Sequence, residues 1–161
     1  MHETSYLEMA LNIGRYFHRL PPKSTIVDIG SLDVNGSYKA LIEPPFKYIG
    51  LDLAPGSNVD RVMTSEFNTG LPKSYAASVI CGQCLEHCTN PFSLVKEIFR
   101  ICSRGGYVLL CAPWVWPIHK YPLDCWRFLP DGMKILIESA GGIFVKSYLN
   151  DRDCWGIGQS K

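Results

Sequence analysis

Apolar positions recur with two different periods along this chain. Tyr6, Met9, Ala10, Ile13, Phe17 and Leu20 fall three or four residues apart, the spacing of one helix face. Ser5 followed by Glu8 has the capping-box pattern and marks the start of that helix. Pro21-Pro22 stops it. Short apolar runs then predict strands at residues 24–30, 48–53, 59–63, 76–81 and 107–111, the first of them buried. Residues 38–42 read as a short helical piece ended by Pro44-Pro45. Asn90-Pro91 opens a helix with asparagine as N-cap and proline at its first position. Leu94, Val95, Ile98, Phe99, Ile101 and Cys102 form its apolar face, and Gly105-Gly106 ends it. Pro130-Asp131-Gly132 leads into a last helix carrying Met133, Leu136, Ile137 and Ala140, followed by strands at 142–148 and 154–159.

Strands alternating with helices predict an α/β fold, a mainly parallel sheet covered by helices on both faces. Neither an internal repeat nor a linker interrupts the pattern, so residues 1–161 are expected to form a single domain. Apolar residues make up 47% and charged residues 19%, which excludes a disordered chain. A net charge of +1 gives no bulk electrostatic case for nucleic acid or a membrane surface. The first twenty residues lack the unbroken apolar core of a signal peptide, and a cytoplasmic location is expected. Seven cysteines, an odd number, fit reduced thiols better than a disulfide framework.

The first strand ends in Val27-Asp28-Ile29-Gly30-Ser31, then continues through Leu32-Asp33-Val34-Asn35-Gly36-Ser37. Ligands of open α/β sheets sit outside the carboxyl ends of strands, where a glycine lets the backbone approach closely. Asp28 is placed to accept from an ammonium group or to orient loop amides. Asp52, at the end of the next strand, is spaced to accept hydrogen bonds from ribose hydroxyls. A nicotinamide dinucleotide wants G-x-G-x-x-G before a helix that holds its pyrophosphate. Ser31-Leu32 follow Gly30, so that fingerprint is absent.

Val27-Asp28-Ile29-Gly30-Ser31 resembles the first motif of class I S-adenosylmethionine-dependent methyltransferases. Tyr48-Ile49-Gly50-Leu51-Asp52 resembles their second-strand motif. Cys84-Leu85-Glu86-His87, Glu97, Arg100 and Gly105-Gly106 are similar to their fourth strand, following helix and fifth-strand entry. The resemblance implies a doubly wound, Rossmann-like methyltransferase fold of seven strands, one of them antiparallel near the C-terminal edge. It implies S-adenosylmethionine as cofactor, with Asp28 and Gly30 by the methionine moiety, Ser31 also binding the cofactor, Asp52 on the ribose and Leu53 on the adenine. Glu66 or Phe67 would lie near the adenine edge, and Cys81, Gly82 and Gln83 would line the methionine side. Leu32 stands where the family has its second loop glycine.

The aromatic-rich segment 112–129 follows the fifth strand and would overhang the cofactor's methyl group. His119-x-Tyr121-Pro122-x-Asp124-x-Trp126-Arg127-Phe128 resembles a segment of methyltransferases of glycan and natural-product pathways, which implies a small-molecule or glycan-type acceptor. Trp116, Tyr121, Trp126 and Arg127 are the candidate acceptor-binding residues, and the tryptophans equally fit core or interface. His119 is the first candidate base, His87 the second, and Asp124 a candidate to orient a histidine or accept a proton. His87 has the alternative of capping the helix or bonding a backbone carbonyl, and Asp124 with Arg127 that of a structural ion pair. Cys81-x-x-Cys84-x-x-His87-Cys88 has zinc-ligand types, but its side chains are not expected to converge, and no metal is expected. The rival reading is a non-catalytic, methyltransferase-like partner subunit or a homodimer built around the aromatic loop.

Overall fold

The computed structural model describes residues 2–161. Among them are three α-helices, α1 (Glu3–Phe17), α2 (Pro91–Ile101) and α3 (Pro130–Ser139). Seven strands form one sheet: β1 (Thr25–Ile29), β2 (Lys47–Asp52), β3 (Arg61–Val62), β4 (Ser78–Gly82), β5 (Tyr107–Pro113), β6 (Ile143–Asn150) and β7 (Asp153–Gln159). Their order across the sheet is β3-β2-β1-β4-β5-β7-β6. The first five strands pair in parallel, and β7 lies antiparallel to both β5 and β6.

Because side chains alternate across a strand, the central strands feed two cores. Val27, Ile29, Val79, Cys81, Val108 and Leu110 face α2 and α3. Ile26, Ile80, Leu109, Cys111, Trp155 and Ile157 face Met9, Ile13 and Phe17 of α1. The central strands are thus apolar on both sides, as their unbroken runs predict.

The winding departs from expectation in the first half of the chain. Between β1 and β2 the chain makes only one 3-10 turn, Lys39–Leu41, and no helix joins β2 to β3 or β3 to β4 among the described residues. The glycine- and asparagine-containing loop after β1 offers no continuous apolar face for a helix to bury. Tyr38 and Ile42 cover that part of the sheet instead, both almost fully buried. No helix among the described residues is long and apolar enough to cross a membrane.

Two local readings give way to tertiary contacts. Ser5 does not cap α1, whose N-cap is His2 with no side-chain cap bond. The Ser5 hydroxyl is buried against the Tyr38 hydroxyl at 2.7 Å, and Glu8 accepts from Tyr148 and Asn150 of β6. The second helix ends at Ile101 rather than at Gly105-Gly106, and Gly105 supplies a left-handed turn (φ 79°) into β5. The predicted α2 start is present: the Asn90 side chain accepts from the Ser93 amide at 3.1 Å, with Pro91 in the first turn. Asn90→Ala removes that acceptor and is expected to cost about 1 kcal/mol. Thermal denaturation should show a fall in Tm of roughly 2–4 °C.

Candidate active site

The switch point of the sheet lies at β1, which has β2 on one edge and β4 on the other. A cavity of about 1070 Å³ opens there. Its floor comes from the ends of β1, β2 and β4, and its far wall from the segment after β5. Asp28, Gly30, Ser31, Asp52, Leu53, Glu66, Gly82 and Gln83 line it. So do His87, His119, Trp116 and Tyr121. Phe67 and Cys81 do not line it, and Cys81 is fully buried inside the sheet. Trp126 and Arg127 line a separate, shallower groove beside Pro91 and Phe92.

Asp52 organises the loop after β1. One carboxylate oxygen accepts the Leu32 amide at 3.1 Å, and the other accepts the Ala54 amide at 3.2 Å. The carboxylate therefore sits at a fixed point on the cavity wall with lone pairs to spare. Gly30 holds φ 79°, and a Cβ there would lie 2.6 Å from the Cys84 Cβ. That close approach is what lets the loop and the start of the 3-10 turn Leu85–His87 pack together. Leu32, in place of the family's glycine, is accommodated because Gly56 opposes its side chain. Among the described residues only the 3-10 turn Lys39–Leu41, and no α-helix, follows this loop before β2.

Asp28 is buried and accepts from the Tyr48 hydroxyl at 2.9 Å. Burial pushes its carboxyl up to about 7, against the opposing effect of the Tyr48 bond. Gln83, at φ 57°, donates to the buried Asp153 at 2.9 Å. Glu66 accepts from the Thr89 amide at 3.0 Å and from the Thr89 hydroxyl, tying the segment after β3 to the start of α2.

The segment 114–129 has no regular structure, yet it is bound at many points. The Glu86 carbonyl accepts the Cys125 amide at 2.7 Å and the Trp126 amide at 3.3 Å. The Trp126 indole donates to the Cys88 carbonyl at 2.8 Å. Arg127 is consumed within this loop: it forks onto Asp124 at 2.5 and 2.8 Å and reaches the carbonyls of Trp116 and Pro117. That bond holds the Asp124 carboxyl far below the usual carboxylate range. Asp124 also accepts the His119 amide at 2.8 Å, so Arg127 and Asp124 together place His119.

His87 and His119 meet edge to face, with ring centroids 4.9 Å apart. His87 Nδ1 lies 2.5 Å from the Leu123 carbonyl, the backbone bond foreseen as its alternative role. Burial lowers the His87 pKa. Its Nε2 lies 3.7 Å from Glu86 Oε1. Glu86 is fully buried, neither of its oxygens has a hydrogen-bond partner among the described residues, and burial pushes its carboxyl up to about 8. Of the run Cys81-x-x-Cys84-x-x-His87-Cys88, only His87 joins this cluster.

Sequence reasoning assigned no role to Glu86, Tyr38 or Cys84, all of which line the cavity. An acidic residue next to a histidine just past a strand end was the available signal for Glu86. Nothing local distinguished Tyr38, whose ring packs where a Gly82 Cβ would stand.

The profile of a family described as a methyltransferase domain matches residues 27–110, just over half of the chain. None of the curated proteins matches. Among solved structures, a SAM-dependent methyltransferase from Aquifex aeolicus aligns with a TM-score of 0.72 at 13% identity, covering 98% of this chain and 90% of its own. One from Methanosarcina mazei aligns at 0.71 and 14%, covering 92% and 96%. One from Thermotoga maritima aligns at 0.70 and 16%, covering 99% and 91%. At these identities the structures speak for the fold. With the matched domain and the glycine loop–Asp52 pairing, they place the chain among the class I S-adenosylmethionine-dependent methyltransferases, a family to which it belongs and whose cofactor is S-adenosylmethionine.

Proposed function

We propose that this domain transfers the methyl group of S-adenosylmethionine to a small-molecule or glycan-type acceptor by in-line displacement, in the cytoplasm. One observation carries the reading: a single cavity runs from the loop-capped carboxylate of Asp52 to the paired imidazoles of His87 and His119. The bound cofactor supplies an electrophilic methyl group on sulfur. Asp52 takes the ribose hydroxyls through the lone pairs its loop bonds leave free. Leu53 and Met63 give the adenine an apolar wall, and Glu66 stands at its edge. Gly30 and Ser31 let the backbone approach the methionine moiety, with Gly82 and Gln83 opposite and Asp28 placed for its ammonium group.

The acceptor enters between Trp116 and Tyr121, whose rings suit a flat or sugar-like molecule. Alignment of the acceptor atom with the methyl carbon accounts for most of the rate. His119 is the first candidate to take the acceptor's proton and His87 the second, and Asp124 keeps His119 in place. The seven unpaired cysteines fit a reducing compartment.

Calorimetric titration with S-adenosylhomocysteine is expected to show saturable one-to-one binding, with NADH giving none. Asp52→Ala should abolish it in a protein that keeps its far-ultraviolet circular dichroism. Absence of binding to folded wild-type protein would replace this reading with the non-catalytic partner. The pH dependence has a defined sign. Only ionised Asp28 pairs with an ammonium group, and its carboxyl protonates as the pH falls through about 7. Affinity for S-adenosylhomocysteine should therefore fall by about tenfold from pH 8 to pH 6, and Asp28→Asn should flatten the profile. A flat wild-type profile would remove Asp28 from the ammonium site.

A further inference from the structure

We propose that Glu86, His87 and His119 form a binding site for one divalent metal ion at the acceptor end of the cavity. One ligand atom from each of the three side chains lies within 4.8 Å of the others. The second observation is independent of that spacing. Glu86 is a fully buried carboxyl in the cavity lining with no hydrogen-bond partner for either oxygen among the described residues. Burying such a group is costly unless something cationic or a donor answers it.

The imidazoles do not donate to it. His87 Nδ1 carries its proton toward the Leu123 carbonyl, which leaves the Nε2 lone pair facing Glu86 Oε1 at 3.7 Å. At that distance the two atoms share no direct hydrogen bond. A metal with bonds of about 2.0–2.2 Å holds neighbouring ligand atoms roughly 3–3.4 Å apart. A contraction of a few tenths of an ångström brings this pair to that spacing. His119 repeats the arrangement: its Nδ1 lies 3.2 Å from the Pro117 carbonyl and 3.4 Å from Asp124 Oδ2, leaving Nε2 for a ligand. An imidazole fixed at Nδ1 by a carbonyl or carboxylate is the usual support of a metal-binding histidine.

The surrounding charge favours a cation as well. Glu86 feels Asp124 and Asp153 against the one guanidinium of Arg127. Asp124 already spends its charge on that guanidinium. Two nitrogens and one carboxylate suit Mn²⁺, Fe²⁺, Co²⁺ or Zn²⁺ better than the all-oxygen preference of Ca²⁺. The neighbouring cysteines do not join the cluster: among the described residues the converging ligand atoms are those of Glu86, His87 and His119.

Three protein ligands leave coordination positions open toward the cavity. Given the methyl-transfer reading, on which this part rests, the open positions would take an acceptor hydroxyl. The ion lowers the pKa of that hydroxyl, and its proton leaves to water at the cavity mouth. The substrate class is then a phenol, enol or sugar alcohol rather than an amine or a carbon nucleophile.

The test is a titration of chelator-treated full-length protein without cofactor, with Mn²⁺ followed by electron paramagnetic resonance and Zn²⁺ by calorimetry. One-to-one binding of both ions is expected, weakened by more than about tenfold in Glu86→Gln and, separately, in His119→Ala. His119 is partly exposed, so its variant should keep the wild-type Tm and the wild-type affinity for S-adenosylhomocysteine. Absence of one-to-one binding, or binding unchanged in both variants, overturns the metal site. Metal binding without S-adenosylhomocysteine binding would sink the methyl-transfer reading and leave the metal site standing. The reverse pattern would sink the metal site alone.

Discussion

The pairing of β1 on both of its edges is the constraint from which the rest follows. Thr25 to Ile29 run in register with Lys47 to Leu51 on one side, and Ile26 to Ile29 with Ser78 to Cys81 on the other. Three parallel strands therefore end together, and the chain leaves them in different directions. The gap between those departures is the cavity. In most doubly wound sheets helices crowd such a gap from both sides. Here the crossovers of the first half are loops and a 3-10 turn, and the site is built largely from backbone amides and strand-end carboxylates.

Those carboxylates share a solvation problem that each solves differently. Asp124 is neutralised by a forked guanidinium. Asp153 is answered by the Gln83 amide and lies 3.5 Å from the His2 ring. Asp28 has only a phenol, and its carboxyl rises accordingly. Glu86 has no hydrogen-bond partner among the described residues. Asp28 and Glu86, whose carboxyls rise to about 7 and about 8, ionise most readily when a cation answers them. A sulfonium cofactor is a cation, and a site with surplus buried carboxylate suits it. The same surplus, concentrated beside two imidazoles, suits a metal ion.

The wall opposite the glycine loop is an irregular segment held by hydrogen bonds along its length, with Phe128 and Trp114 packed on the core. Its ends are fixed by Trp114 on the Arg152 carbonyl and Phe128 on the Pro113 carbonyl. Its middle is fixed by bonds to Glu86, His87 and Cys88. Tyr121 stays exposed and Trp116 half-buried on the cavity wall because the backbone beneath them is held. Arg127, an acceptor-binding candidate with an ion pair to Asp124 as its alternative, spends its guanidinium on this internal scaffold.

Periodicity alone determined most of the fold. Buried parallel strands must be apolar on both faces, and amphipathic helices must repeat every three to four residues, so both leave marks that need no partner to be read. The Asn90-Pro91 start of α2 and the spacing from Gly30 to Asp52 are local in the same sense. What depends on residues far apart in the chain was not legible. Ser5 has a capping pattern, yet its hydroxyl bonds Tyr38, which no local rule foresees. Leu32 breaks the family's loop pattern, and only Gly56, across the loop, makes room for it. Glu86, His87 and His119 come together because backbone bonds dock the loop after β5 onto the turn after β4. A sequence records which side chains are present; which buried charge is left without a partner is decided only when the whole chain has packed around it.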